Sequence, residues 1–411
     1  MIYIKTYGCT FNKSDSQAMM HILGKRVADS EDQADIVIFN TCGVKLQTEN
    51  KVLKDIRAML GKKRIIVAGC LPFIDPDAIP NDVDAVMGPD QIQNIASIVD
   101  DVEQGRRLRL ARHEIKCPKL LPQCHRGVTA IIPISLGCKG SCTYCATKFA
   151  RGDLRSYPRQ EIVSGIEALY KEGYREFQLT SQDTGCYGMD IGSDLPSLLS
   201  SISALDGDFR VRVGMLNPNH AFKMLDELLE SYESDKIFKF LHLPVQSGSD
   251  SVLKDMNRFY TTDNYLEMVD AFRDRYPGIY IATDIIVGFP GESEEDFQMT
   301  LDLTIASRPD KVNITRYSVR PGTVAADMKQ FPDRIKKDRS RVLSRLVHNI
   351  SGEINQGYVG KDIDVLVVEE GKKGRMVGRM ENYKPVICDG YKGEFKKVRI
   401  SEATSTYLVA E

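Results

Sequence analysis

Several familiar functional signatures are missing from this chain of 411 residues. It contains no stretch of about 18 consecutive apolar residues, which a membrane-spanning helix would require. It also contains no GxxxxGKS or GxxxxGKT loop for nucleotide phosphates and no GxSxG elbow for a nucleophilic serine. No GxGxxG fingerprint follows the first predicted strand. These absences argue against a membrane partner, against P-loop or dinucleotide chemistry, and against a serine hydrolase.

An excess of charge of one sign is lacking as well, because the formal net charge is only −2. Local charge is more informative, since phosphate binding needs clustered Lys and Arg rather than a basic chain. Residues 105–126 carry seven Lys or Arg against one Glu, and residues 331–349 carry six against two acidic residues. Each run fits either a solvated segment or a contact with a polyanion.

The chain opens with Met-Ile-Tyr-Ile-Lys-Thr-Tyr, which predicts a β-strand rather than a secretory signal. Ten cysteines without such a signal favour a reducing compartment and metal ligation over disulfides. We therefore expect a cytoplasmic protein in which cysteines act as thiolate ligands.

Residues 1–104 alternate short apolar strands with helical segments, which predicts a parallel sheet. Three of these strands end in a cysteine, at Cys9, Cys42 and Cys70. Because the carboxyl ends of parallel strands meet at one edge of a sheet, we expect the three thiols to converge. Each cysteine alone could be a buried apolar residue, but three equivalent positions favour a shared metal cluster.

Residues 127–350 repeat the strand–helix alternation, and six units predict an open or partial (β/α)6 barrel. The first of its strands is followed by three cysteines in the spacing CxxxCxxC, at Cys138, Cys142 and Cys145. Three thiolates can fill three corners of a four-iron, four-sulfur cluster and leave one iron open, whereas such clusters normally take four cysteines.

Two alternatives to a cluster at this loop remain open. Zinc prefers four ligands, and Cys124 and His125 lie upstream, although no further Cys or His lies within fifteen residues downstream of Cys145. The spacing could also arise by chance.

Polar side chains in the cysteine loop and at the ends of other predicted barrel strands are candidates to contact a cofactor. Tyr144 could instead serve only in packing, and Glu292 could simply begin the next helix, where a carboxylate is favourable. The candidates are Tyr144, Gln182, Asp183, Gln246, Ser247, Asp284 and Glu292. Arg151 and Arg155, beyond the cysteine loop, could bind a carboxylate or phosphate.

Two further segments complete the chain. Residues 105–126 form a basic link, and we interpret its Cys117 and Cys124 as non-ligands. Residues 351–411 contain short strands and turns, which predict a small all-β barrel too small to be the catalytic body.

These motifs together resemble one family, the radical S-adenosylmethionine (SAM) methylthiotransferases. The N-terminal signature is Thr6-Tyr-Gly-Cys9 with Asn12 and Asp15, followed by Asn40-Thr-Cys42 and Ala68-Gly-Cys70. The central one is CxxxCxxC with Gln246-Ser-Gly-Ser249 and the run from Asp284 to Glu292. Asn382-Tyr-Lys-Pro-Val386 with Gly393-Glu394 is similar to the TRAM domain, which contacts RNA. The resemblance implies a flavodoxin-like sheet, a radical SAM barrel and a TRAM barrel.

The stretch from Cys142 to Gly152 resembles the branch that acts on N6-threonylcarbamoyladenosine at position 37 of tRNA, next to the anticodon. That branch inserts a methylthio group at C2 of the adenine. Sister branches act on isopentenyladenosine in tRNA and on an aspartate of a ribosomal protein. An alternative from another functional class is an RNA-binding protein that holds an iron–sulfur cluster or zinc and has no catalytic activity.

The resemblance also implies the cofactors and partners. Cys138, Cys142 and Cys145 would bind the 4Fe-4S cluster that cleaves SAM to a 5′-deoxyadenosyl radical. Cys9, Cys42 and Cys70 would bind a second 4Fe-4S cluster that carries the sulfur. The anticodon loop of tRNA, an electron-donor protein and a sulfur donor of unspecified kind would be partners, with no part for DNA or a membrane. Lys372, Lys373, Arg375, Arg379, Lys396, Lys397 and Arg399 would form a patchy handle for the tRNA.

Overall fold

The computed structural model describes residues 1–44, 46–110 and 127–411. The rest of the predicted basic link, including Cys117, Cys124 and His125, lies outside the described residues. Within the described ranges, no helix combines the length and the apolar character that crossing a bilayer demands.

The first 110 residues fold into a five-stranded parallel sheet covered by helices. The three central strands are buried along almost their whole length, as parallel strands packed between helices must be. The strands, in spatial order, are β1 (Ile2–Thr6), β2 (Ile36–Thr41), β3 (Arg64–Gly69), β4 (Ala85–Met87) and β5 (Leu108–Leu110). The helices are α1 (Thr10–Leu23), α2 (Leu46–Met59), α3 (Leu71–Ile74) and α4 (Ile95–Glu103).

The sheet has a flavodoxin-like order once a rudimentary strand is counted. An isolated parallel bridge joins Val27 to Ile2 on the outer side of β1. With Val27 counted second along the chain, the order is 2-1-3-4-5, which is that of flavodoxin. The sheet then continues into β5, which pairs with β4 although its charged sequence led us to place it in the basic link. Leu108 and Leu110 pack on the sheet's core, and this apolar alternation explains the extra strand.

The central region forms the predicted partial barrel of six parallel strands, in two three-stranded sheets. A parallel bridge between Val211 and Ile237 joins the two sheets. The strands of this region are β6 (Thr129–Pro133), β7 (Ser135–Leu136), β8 (Arg155–Ser156), β9 (Glu176–Thr180), β10 (Arg210–Arg212), β11 (Phe240–His242), β12 (Tyr280–Val287) and β13 (Lys311–Arg316). The strands β7 and β8 form a separate antiparallel ribbon that frames the cysteine loop.

The helices of the central region lie between and after its strands. They are α5 (Thr147–Arg151), α6 (Arg159–Lys171), α7 (Leu195–Ser203), α8 (Pro218–Ala221), α9 (Leu225–Ser231), α10 (Asp250–Asp255), α11 (Thr262–Arg275), α12 (Glu294–Ser307) and α13 (Asp333–Gln356). Helix α13 contains the second basic run and leads into the last region.

The C-terminal region is a closed five-stranded barrel in the order β14-β15-β16-β18-β17. Its strands are β14 (Asp362–Glu370), β15 (Met376–Met380), β16 (Pro385–Cys388), β17 (Phe395–Ala403) and β18 (Leu408–Ala410). Small and β-branched side chains fill its interior, including Val365, Val386 and Cys388. The predicted α/β class with a terminal all-β barrel is thus confirmed.

The turn between β15 and β16 closes one end of the central barrel. We call the amino-terminal end of the barrel strands the floor and the carboxyl-terminal end the rim. Tyr383 enters the floor, where its hydroxyl donates to Glu176 Oε1 at 2.9 Å and its ring lies 4.9 Å from that of Phe238. Next to it, Lys384 Nζ donates to Asp310 Oδ1 at 2.9 Å and to Asn355 Oδ1 at 2.5 Å.

We expect Lys384→Met to destabilise the junction between the two barrels. Lys384 and Asp310 are almost fully buried, and removing the ammonium leaves an uncompensated carboxylate in the interior. Such losses cost about 3–5 kcal/mol. Arg399→Met is the matched control, because the Arg399–Asp362 pair is exposed and such pairs contribute about 0–1 kcal/mol. Urea unfolding followed by circular dichroism would measure both, and equal shifts of the midpoint would contradict the prediction.

Candidate active site

The CxxxCxxC loop brings its three thiols together at the rim of the barrel. It begins at Gly137, whose φ of 68° suits glycine, and a Cβ there would lie 2.2 Å from the carbonyl oxygen of Asp153. A Cβ built at Gly140 would lie 3.7 Å from Cys138 Sγ and 3.8 Å from Cys142 Sγ, so these thiols flank one glycine.

The electrostatics of this loop suit a metal cluster. Burial raises the pKa of Cys138 to about 11, and the nearby thiols of Cys145 and Cys142 add to this rise. Burial and Cys142 likewise raise the pKa of Cys145. Three thiolates packed this closely need a cation to hold them deprotonated, and bound metal does this. The donor set therefore fits an iron–sulfur cluster.

Arg258 supplies a positive charge beside this group, and the sequence analysis missed it. Its Nη1 lies 3.3 Å from Cys142 Sγ, and its guanidinium stacks over the Tyr260 ring at 5.1 Å. Nothing in the sequence around Arg258 marks this role. Tyr144, which lies between two of the cysteines, packs edge-on against Phe289 with centroids 6.4 Å apart.

The three cysteines of the N-terminal sheet also meet, at the carboxyl ends of its first three strands. Cys42 and Cys70 directly follow β2 and β3, and Cys9 lies just beyond β1. The Oδ1 atom of Asn12 lies 3.8 Å from Cys9 Sγ and 3.9 Å from Cys70 Sγ. A Cβ at Gly8, whose φ is 105°, would lie 2.7 Å from Cys42 Cβ. This thiol set also fits a cluster.

The amide of Asn12 fixes the loops of this second group. Its Nδ2 donates to the carbonyls of Tyr7 at 2.9 Å and of Thr41 at 2.8 Å, which ties two strand ends together. Burial raises the pKa of Cys70 to about 12, while the charge of Arg151 opposes the rise.

Arg151 connects the two thiol groups. It ends helix α5, six residues after Cys145, and is almost fully buried. Its Nη2 donates to Asp15 Oδ2 at 2.6 Å and to Asn12 Oδ1 at 3.2 Å, and its guanidinium lies 4.6 Å from the Phe11 ring. The guanidinium opposes the burial that raises the pKa of Asp15. One side chain thus links the cysteine loop of the barrel to the residue that contacts Cys9 and Cys70.

Two further contacts fix the sheet on the barrel. Cys70 and Ile74 pack with Ala146 and Ala150, so the segments that follow the two cysteine groups are in direct apolar contact. On the other side, Arg320 forms a buried ion pair with Glu49 and donates from Nε to the carbonyl of Val44 at 3.1 Å.

Two of the other candidate residues lie at the second barrel strand's end. Asp183 is buried, and its carboxylate accepts from the backbone of Gly185 at 2.9 Å and of Asn217 at 3.0 Å and pairs with His220 Nδ1 at 2.7 Å. Its oxygens therefore organise the loops around it. Gln182 is half-buried, and its Oε1 has no hydrogen-bond partner among the described residues.

Gln246, Ser247 and Asp284 lie around the strand ends β11 and β12. Gln246 adopts a φ of 71°, and its backbone bonds to Asp284 O and Ile286 N extend the barrel. Ser247 is fully buried and accepts from the backbone of Ser249. Asp284 alone of the three extends a half-buried side chain into the barrel.

Glu292 does not begin the next helix, as we had expected, because that helix begins at Glu294. Its carboxylate is fully buried, accepting from Gly288 N at 2.6 Å and from Arg339 Nη1 at 2.5 Å. The helix is capped instead by Ser293, in a capping box with Asp296. Arg339 attracts Glu292 into the interior and leaves the cap to the next residue.

Comparisons with known proteins match all three regions. The family model described as "Radical SAM superfamily" matches residues 132–304, and that described as "TRAM domain" matches residues 356–411. The model described as "Uncharacterized protein family UPF0004" matches residues 1–88. The matches follow the parallel sheet, the partial barrel and the closed barrel in order.

Full-length relatives are similar along the whole chain. The "Probable threonylcarbamoyladenosine tRNA methylthiotransferase" of Pyrococcus horikoshii is 45% identical over 100% of this chain and 99% of its own length. The protein of the same name from Archaeoglobus fulgidus is 46% identical over 100% and 98%. The "Threonylcarbamoyladenosine tRNA methylthiotransferase" of Danio rerio is 36% identical over 99% of this chain and 77% of its own length.

Among solved structures, the radical S-adenosylmethionine methyltransferase TsrM of Kitasatospora setae has a TM-score of 0.57 and 15% identity, and the match covers 79% of this chain and 74% of that chain. At this identity the likeness concerns the fold alone, and it agrees with the radical SAM fold. The relatives confirm the resemblance found in the sequence. The chain belongs to the radical SAM family of threonylcarbamoyladenosine tRNA methylthiotransferases.

Proposed function

We propose that this enzyme inserts a methylthio group at C2 of N6-threonylcarbamoyladenosine at position 37 of tRNA. The observation that carries the proposal is the pair of thiol groups joined through Arg151, Asp15 and Asn12. The full-length relatives support the substrate, since their names specify threonylcarbamoyladenosine in tRNA. Neither an acid nor a base can replace the unactivated C2–H bond at neutral pH, so the reaction requires a radical. The sulfur must be close to the place where that radical forms, and the chemistry therefore requires two neighbouring sites.

In this proposal Cys138, Cys142 and Cys145 hold the 4Fe-4S cluster that binds SAM. Cys9, Cys42 and Cys70 hold a second 4Fe-4S cluster, a role supported by their convergence around Asn12. When bound, these cofactors supply the radical that removes the C2 hydrogen and the methylthio group that replaces it. The protein supplies placement and the exclusion of water.

The chain's own residues perform that placement. The buried pairs Arg151–Asp15 and Arg320–Glu49 hold the sheet on the rim, and buried ion pairs resist separation because each partner would be left uncompensated. Arg258 stabilises negative charge at Cys142 through its 3.3 Å contact. Tyr144 and Phe289 form an apolar wall beside the loop, which helps to keep water away from a reactive carbon centre.

The three domains divide the work. Residues 1–104 hold the second cluster, residues 127–350 form the catalytic core, and residues 351–411 bind the tRNA, with 105–126 as the link. An electron-donor protein and a source of sulfur complete the reaction. We place the enzyme in the cytoplasm, where reducing conditions keep thiols available for metal.

Replacing Cys142 or Cys42 by Ala should separate the two halves of the reaction. We expect about eight irons per chain in the reconstituted protein and about four in each variant. Cys142→Ala should abolish reductive release of 5′-deoxyadenosine from SAM, whereas Cys42→Ala should retain release but yield no methylthiolated nucleoside. Iron assay and mass spectrometry of tRNA nucleosides would measure both.

The control for this pair is Cys388→Ala, which removes a buried thiol that belongs to the core of the C-terminal barrel and to neither group. It should keep the iron and the product. Product from Cys42→Ala would refute the two-cluster assignment. Zinc in place of iron, or iron without SAM cleavage, would favour a non-catalytic RNA-binding protein, and product on isopentenyladenosine tRNA or on a ribosomal protein would identify a sister activity.

Arg151→Met should uncouple SAM cleavage from product formation. The variant leaves Asp15 buried without its cation, at a cost of about 3 kcal/mol or more to the docking of the sheet on the barrel. We expect the release of 5′-deoxyadenosine to continue while methylthiolated product per 5′-deoxyadenosine falls about tenfold or more.

The double variant Arg151→Met, Asp15→Asn removes the uncompensated charge and should recover part of the coupling. Arg159→Met, at an exposed position at the start of α6, is the control and should keep the wild-type ratio. An unchanged ratio in Arg151→Met would show that this contact does not align the two sites.

Lys397→Ala should weaken tRNA binding and reduce its salt dependence. In the proposed RNA-binding handle, Arg375 and Arg379 are paired with Asp389 and Glu369, whereas Lys397 is exposed and forms no ion pair among the described residues. Loss of one phosphate contact should lower the slope of log affinity against log salt by about one. Lys171→Ala, on the exposed face of α6, is the control, and equal slopes would contradict the prediction.

A further inference from the structure

The inward faces of the partial barrel's strands carry polar side chains, and we call the space that these side chains line the chamber. Val211 and Ile281 face the helices and are fully buried in the main core. The side chains on the opposite face of five neighbouring strands are polar and half-buried. They are Gln178, Arg212, His242, Asp284 and Asn313.

Most of these polar groups satisfy one another. Asp284 Oδ1 accepts from Asn313 Nδ2 at 2.6 Å and pairs with His242 Nε2 at 3.2 Å. Gln178 Nε2 donates to Glu176 Oε1 at 2.8 Å and to the Tyr383 hydroxyl at 2.9 Å. Among the described residues, these contacts leave one charged member of this set without a polar partner.

That member is Arg212, at the end of β10. Its guanidinium is held between two aromatic rings, 4.8 Å from the centroid of Phe240 and 5.2 Å from that of Tyr383. Within the described ranges, no carboxylate forms an ion pair with it and its buried Nε has no hydrogen-bond partner. The carboxylate on the neighbouring strand, Glu176, is occupied by Tyr383, Gln178 and Thr129.

A guanidinium held in this way lacks hydrogen-bond acceptors, and an anion would supply them. Arginine stays charged and offers five donors in a planar fork, which matches a carboxylate with two parallel hydrogen bonds. Stacking between two aromatic rings fixes the plane of the guanidinium but leaves the N–H donors at its edge without acceptors. A half-buried charge that lacks an ionic partner gains from a counter-ion, so the chamber favours a ligand that brings a carboxylate.

We propose that Arg212 binds the threonine carboxylate of the N6-threonylcarbamoyl group, and that this contact determines the specificity for the modified adenosine. The inference rests on the proposed function, which supplies a substrate with a carboxylate at the end of a polar substituent. The other polar side chains that face the chamber include amide and imidazole groups, which suit the hydroxyl and urea parts of the same substituent.

SAM also carries a carboxylate, but the height of Arg212 argues for the substrate. Arg212 is in register with Gln178, two residues before the end of β9 and therefore about 6.6 Å below the rim. The cysteine loop, where the amino and carboxylate groups of SAM would bind iron, lies beyond the rim. Arg212 instead contacts Tyr383 from the floor.

The test compares two anticodon stem-loop RNAs that differ in one charge. One carries N6-threonylcarbamoyladenosine, and the other carries the same nucleoside with its threonine carboxyl as a methyl ester. Dissociation constants are measured at fixed salt with the reconstituted full chain, alone and with Arg212→Gln. Arg210→Gln is the matched control, because Arg210 lies on the same strand but stacks on Phe395 of the C-terminal barrel. Iron content, SAM affinity and 5′-deoxyadenosine release without RNA are measured for each protein.

We expect the wild type and Arg210→Gln to bind the RNA with the free carboxylate about tenfold or more tightly than the methyl-ester RNA, because one charge-assisted hydrogen bond contributes about that difference in affinity. Arg212→Gln should bind the two RNAs within about twofold while its iron content and SAM affinity stay unchanged. No preference in the wild type, or a preference retained in Arg212→Gln, would overturn the proposal. Retained preference with weakened SAM binding would assign the guanidinium to the cofactor's carboxylate.

A second variant covers the case in which Arg212→Gln fails to fold. Arg212→Lys keeps the charge but not the fork, so the acid-to-ester ratio should fall about threefold or more, and an unchanged ratio would overturn the proposal. Failure of the proposed function is a separate result. In that case the wild type forms no methylthiolated product from the acid RNA, whatever the binding ratio.

Discussion

The buried contact of Arg151 with Asp15 and Asn12 is the interaction on which the relation between the two thiol groups depends. The two groups belong to different domains and lie on loops that follow different sheets. A hydrophobic contact alone would allow those domains to slide, because it has no direction. An arginine with a defined fork, bonded at 2.6 and 3.2 Å to two side chains of α1, fixes both distance and orientation. The Arg320–Glu49 pair on the other side prevents rotation about that contact.

The catalytic chamber is consequently bounded by three domains rather than one. The N-terminal sheet covers the rim, the barrel supplies the polar wall, and the turn with Tyr383 and Lys384 closes the floor. A carbon radical is quenched by most groups that it meets, so enclosure from both ends has a chemical purpose. The same enclosure strengthens electrostatic interactions inside the chamber, where Arg212 is stacked on aromatic rings and Asp284 is paired with His242.

The sequence predicts those features that depend on local patterns, such as the alternation of strands and helices and the spacing of cysteines. The alternation of apolar strands and helices predicted both the parallel sheet and the partial barrel, and the cysteine spacing indicated the radical SAM loop. The contacts that complete the site join residues far apart in the chain. Arg258 meets Cys142 across 116 positions, Arg151 meets Asp15 across 136, and Tyr383 meets Glu176 across 207. No periodicity encodes such pairs, because only the packing of whole domains brings them together. The displaced helix start at Glu292 has the same origin, since Arg339 on α13 attracts that carboxylate inward.

The tyrosine at position 383 has an implication for how such proteins can evolve. A nucleic-acid-binding module attached only by a tether can be exchanged, duplicated or lost with little effect on the enzyme that carries it. Here the module contributes the phenol ring of Tyr383 to the floor of the central barrel. Tyr383 adopts a left-handed backbone conformation with a φ of 67°. Grafting a foreign module would leave a hole through which solvent could enter. Changes in RNA affinity are therefore least disruptive on the outward strands, whereas a change in the inward turn requires a matching change in the central barrel.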